Sequence, residues 1–119
     1  MKQLMAVALL LTLCACVSPG RRATNALTAY TNEAEATMAT WRTFVAEKKS
    51  SPMDELKIKT GWIEFGNAVQ DCKVKCLGFD SKTVDFNALE LAVTKVEIKK
   101  NELKALVGWY MKNPSVPAH

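Results

Sequence analysis

Thiols are the side chains here with the most chemistry to offer. The chain of 119 residues has four cysteines, Cys14, Cys16, Cys72 and Cys76, and a single histidine, His119, at its last position. A thiolate can attack an electrophile, ligate a soft metal such as Cu(I), or join another sulfur. Cys72 and Cys76 are four residues apart. On a helix that spacing sets their Cα atoms roughly 6 Å apart on one face, with nearly parallel Cβ vectors. A bond at that spacing needs the helix end to unwind slightly. Three readings stay open for the pair: a small staple or two core-facing thiols, a metal or redox-sensing pair, and a bond to another chain. With its histidine in the tail, the chain offers no His-based triad and no His-ligated zinc site in its core. There is no glycine-rich phosphate loop, and the acidic residues read as helix-surface and capping groups. The expectation is a protein that is not an enzyme and uses no cofactor and no metal.

The other two cysteines end a leader. Lys2 gives a short positive segment, and Leu4 to Leu13 an apolar run. That run is about half the roughly 20 apolar residues a membrane-spanning helix requires, so it reads as a signal peptide. The string Leu13-Cys14-Ala15-Cys16 resembles the lipobox of bacterial lipoproteins. That class has a Leu three places before the cysteine, a small residue just before it, and then the cysteine that receives lipid. Cys14 departs slightly from the small or hydroxyl residue usual at its place. The resemblance covers only the leader and the first residues after it. It implies cleavage of 1–15, diacylglycerol on Cys16 and further acylation by a chain such as palmitate. Two or three chains are enough for stable anchoring. Val17 follows the cysteine where an Asp would retain an enterobacterial lipoprotein in the inner membrane. The implied address is therefore the outer membrane, facing the periplasm.

This address bears on the other cysteines. Cys14 leaves with the leader and Cys16 is alkylated, so Cys72 and Cys76 remain as a pair in an oxidising compartment. Under the resemblance a Cys72–Cys76 disulfide is the expected state. The net charge of +4 falls slightly once Lys2 is removed. It is too mild to argue for nucleic acid, and it fits solubility with a weak preference for anionic surfaces.

The rest of the chain must position these residues. Residues 16–22 are expected to form a lipidated tether, kept irregular by Pro19 and Gly20. It would reach roughly 20 Å if extended, with Arg21 and Arg22 as membrane-proximal basic residues, each worth on the order of 1 kcal/mol near anionic head groups. The domain proper spans 23–113. A first helix over about 23–49 is predicted from Leu27, Tyr30, Ala34, Met38, Trp41 and Phe44 at three- and four-residue steps. Ser51 and Pro52 end it and start a second helix over about 52–77, with Ser51 as N-cap. The second stripe is Ile58, Trp62, Phe65, Val69, Cys72 and Cys76. Gly78 is placed to cap that helix. A third helix over about 85–112, capped by Asp85 or Thr83, presents Phe86, Leu89, Val93, Val96, Leu103, Val107 and Tyr110. Lys100 falls on this stripe, where a lysine usually snorkels to solvent but can also specify register. Residues 114–119 read as a loose tail. Three amphipathic helices bury their faces only together, so the predicted fold is an all-α, up-down-up three-helix bundle.

Within that bundle, Trp62, Trp109 and Tyr110 are candidate partner-binding residues, since large amphipathic aromatics dominate interfaces. The expected partners are the membrane, through lipid, and an envelope protein. The role types that fit are pilotin-like factors, secretion accessories, and exclusion or immunity lipoproteins. The alternatives are a thiol-based metal or redox sensor using Cys72 and Cys76, and a phage-related envelope protein in lysis or exclusion.

Overall fold

A computed structural model describes residues 19–115. Cys14, Cys16 and His119, with the leader and its lipobox, lie outside the described residues. Three helices follow one another: α1 (Pro19–Ala46), α2 (Pro52–Asp80) and α3 (Phe86–Lys112). Tyr30 meets Glu97 and Trp41 meets Tyr110, so α1 and α3 run the same way. Glu64 meets Lys99 and Gly61 approaches Leu103, so α2 runs against them. This is the predicted all-α three-helix bundle. Its contacts are uneven: α3 packs broadly on both neighbours, while α1 and α2 touch over a smaller area.

α1 begins earlier than expected. Residues 19–22, assigned to the tether, are helical. Proline suits the first turn because the N–H it lacks has no intrahelical partner there. Gly20 is buried, and a Cβ on it would lie 2.7 Å from Asp80 Oδ1. The first turn of α1 is thus docked on the end of α2, and the glycine that looked like a helix breaker permits the approach. α1 also ends earlier, at Ala46. Lys48 adopts a left-handed conformation (φ 60°), which stops the helix and turns the chain towards Ser51.

The inner face of α1 holds Leu27, Ala34, Met38, Trp41 and Phe44, all buried, with Tyr30 half-buried. These are the residues its periodicity selects. On α2, Ser51 forms a capping box: its hydroxyl accepts from Asp54 N–H at 3.2 Å, and Asp54 Oδ2 accepts from Ser51 N–H. Asp54 Oδ2 also accepts from the Ser115 hydroxyl, tying the end of the described chain to the start of α2. Ile58, Phe65, Ala68 and Cys72 face the core.

α2 does not stop at Gly78. It continues to Asp80, and the glycine serves a different purpose. The chain folds back over it, so that a Cβ there would lie 2.3 Å from Val84 Cγ2. The Gly78 carbonyl accepts from the N–H groups of Thr83 at 2.7 Å and Val84 at 3.0 Å. Asp85 then caps α3, accepting from Ala88 N–H at 2.8 Å. On α3, Leu89, Val96, Leu103, Val107 and Tyr110 are buried, but Phe86 is exposed against Phe79.

Candidate functional site

The thiol pair sits on the inner edge of α2. Cys72 is fully buried and Cys76 half-buried, and both are free thiols. The expected disulfide is not formed. The helix is unbroken through both residues and on to Asp80, so the unwinding that such a bond requires at this spacing has not occurred. Burial pushes the Cys72 thiol up to about 12, and the neighbouring Cys76 and Asp71 add to the rise. A thiol held protonated at neutral pH is a poor nucleophile and a poor metal ligand. Among the described residues, no three His, Cys, Asp or Glu side chains converge in a way that could hold a metal.

Cys76 borders a groove of about 520 Å³ between α1 and α2, where their contact is thin. Leu27, Thr31 and Val69 form its walls, with Lys73 and Asp80 at the rim.

Lys100 departs from its expected place. It is 7% exposed and does not reach open solvent. Its Nζ lies 2.8 Å from Glu33 Oε2 and 4.8 Å from the centre of the Tyr30 ring. Lys104 holds the other Glu33 oxygen at 3.2 Å. The hydrogen bonds from Lys100 and Lys104 hold the Glu33 carboxyl below its ordinary range. One step along, the Tyr30 hydroxyl donates to Glu97 at 2.6 Å, and that bond raises the Tyr30 pKa. This cluster joins α1 to α3 at one height. Sequence periodicity placed Lys100 on the buried stripe but could not identify its partner, because Glu33 lies 67 residues away. Its neighbour Lys99 points elsewhere and pairs with Glu64 and Glu102.

The three partner-contact candidates fall in different places. Tyr110 is 6% exposed and packs on Trp41 in the core, so it is not a surface residue. Trp62 is half-buried and stacks on Phe65 with ring centres 5.7 Å apart. Trp109 stands 58% exposed, held edge-on by Tyr110. Arg21 and Arg22 sit on the first turn of α1 and are exposed.

The structure also brings out apolar rows that the inward stripes concealed. On α3, Leu91, Ile98 and Trp109 are exposed on the face opposite the core. On α2, Leu56, Ile63, Val74 and Leu77 do the same. Their spacings of three, seven and eleven residues are as helical as those of the core. Reading one stripe per helix passes over a second one. Among the described residues no helix is long and apolar enough to cross a membrane. No family model, curated protein or solved structure matches the chain.

Proposed function

We propose that this chain is a lipid-anchored envelope lipoprotein that acts by binding another envelope protein at the periplasmic face of the outer membrane. Anchoring follows from the resemblance of Leu13-Cys14-Ala15-Cys16 to a lipobox. The observation that carries the binding role is the outward row on α3 that ends in Trp109, 58% exposed. A tryptophan left open on a helix face, with Ile98 and Leu91 in line, is the composition of an interface centre and costs hydrophobic free energy while uncovered. The role types that fit are pilotin-like, secretion-accessory and exclusion or immunity factors. The thiol-sensor alternative requires a thiolate, which burial opposes at Cys72.

The test is crosslinking in the intact envelope, with a photoreactive residue at position 105, which lies exposed beside this row. A discrete adduct that disappears in Trp109→Ala supports the reading. A chain that forms no adduct, or one indifferent to Trp109→Ala, removes it. Mass spectrometry of the native protein separately tests for an acylated N-terminal Cys16. An unmodified N-terminus at another residue would remove the anchor.

A further inference from the structure

α2 is apolar on two opposite faces, and its outer face has the spacing of a coiled-coil seam. Met53, Leu56, Ile63, Val74 and Leu77 lie on that face and are each more than half exposed. Written as heptads, Met53, Thr60, Asn67 and Val74 occupy successive a positions. Leu56, Ile63, Gln70 and Leu77 occupy successive d positions. The core residues Ile58, Phe65 and Cys72 then fall at f, diametrically opposite. The frame therefore holds over the whole helix and leaves the bundle intact while the seam is used. We propose that this seam pairs with the same seam of a second copy, as a parallel, in-register two-stranded coil.

Charge selects the occupant and its direction. In a parallel pair each g residue faces the e residue five places on in the other chain. Lys59 then meets Glu64 of the second copy, twice by symmetry. The remaining g–e pairs each contain a proline or a glycine (Pro52 with Lys57, Gly66 with Asp71, Lys73 with Gly78). No like charges meet. An antiparallel pair centred on the helix gains Lys57 against Asp71, but it also sets Lys59 against Lys73 at both ends and Glu64 against its own copy, so repulsive contacts outnumber attractive ones. Asn67 at an a position reinforces the choice, since a buried asparagine pairs with its symmetry mate and fixes register. Thr60, Asn67 and Gln70 make the middle of the seam polar while its ends are apolar. The pairing is thus specific and weak, as suits an exchangeable dimer.

Single cysteines at d positions test this in the full-length chain with its own leader, using a short bismaleimide. Leu56→Cys and Leu77→Cys should each crosslink to the same residue of the second copy, at a level well above the wild-type chain, whose Cys72 and Cys76 face inward. Ile63→Glu added to either variant should abolish the crosslink while the melting temperature stays within a few degrees. The proposal is overturned if neither variant crosslinks to itself while both melt as the wild-type chain does. It is also overturned if Leu56→Cys couples instead to Val74→Cys in a mixture of the two, or if the only adducts are to a different protein.

Discussion

Alanine at Gly66 and alanine at Gly78 should shift stability in opposite directions, although both glycines lie inside α2. At Gly66 an added Cβ meets nothing within 4 Å. Alanine there recovers the helix propensity that glycine forfeits, up to ~1 kcal/mol. At Gly78 the same gain is available, but the new Cβ falls 2.3 Å from Val84 Cγ2 and 3.1 Å from Val84 Cβ. Valine is stiff at χ1, and rotating it does not move its own Cβ, so the backbone of the return loop must shift. That loop is held by the Thr83 and Val84 N–H groups on the Gly78 carbonyl at 2.7 and 3.0 Å. Overpacking costs ~1–3 kcal/mol and each weakened hydrogen bond ~1 kcal/mol. Subtracting the propensity gain leaves Gly78→Ala destabilising by about 1–4 kcal/mol. In a domain of this size each kcal/mol shifts the midpoint by roughly 4–8 °C. Thermal and urea unfolding followed by far-UV circular dichroism would separate the two variants. Val84→Ala in the Gly78→Ala background should recover much of the loss. The reasoning is refuted if Gly78→Ala stabilises as Gly66→Ala does, or if removing the Val84 methyls brings no relief.

The remaining expectations concern the core, the buried lysine and the thiols. Phe65 is 2% exposed, so Phe65→Ala should cost ~3–5 kcal/mol in urea unfolding; a loss under about 1 kcal/mol would mean the core is not packed as described. Lys100→Met keeps the buried stem and leaves Glu33 to Lys104 and water. Because Glu33 is exposed and keeps Lys104, the change should be close to neutral, and a clear drop in midpoint would show that the ion pair is a net stabiliser. Cys72 titrates above its ordinary 9.0, near 12. Its contribution to stability is therefore complete below pH 9 and is lost as pH rises from there towards 12, so Cys72→Ala should flatten the alkaline fall in the unfolding midpoint. Under native conditions iodoacetamide should label Cys76 well ahead of Cys72 by mass spectrometry, and equal rates would contradict the burial of Cys72.

The parts of the molecule that were legible in the sequence are those governed by neighbours in the chain. Leu27, Ala34, Met38, Trp41 and Phe44 stand at helical steps, and all are buried. Ser51 and Asp85 cap because their oxygens reach N–H groups three residues on. What depended on distant partners was not legible. Gly20 and Gly78 are residues of helix ends by local rule, yet both are helical because other segments fold onto them. Lys100 is a snorkelling lysine until Glu33 is brought to it from α1. The Cys72–Cys76 bond followed from compartment chemistry and not from the unbroken helix, on which both stand as free thiols. The outward rows were legible as spacing. They are set apart from the core stripes only by the packing of the bundle, which leaves α2 with two apolar faces and buries one of them.

The uneven contacts within the bundle have a consequence for how the chain comes into being. α1 and α2 share only a thin interface, and each reserves its best packing for α3. A chain delivered from its N-terminus therefore lacks most of its inter-helix packing until α3 arrives. At ~5–20 residues per second, synthesis leaves the first two helices waiting a few seconds for their common support. α3 then brings the surface against which both earlier helices make their broadest contacts.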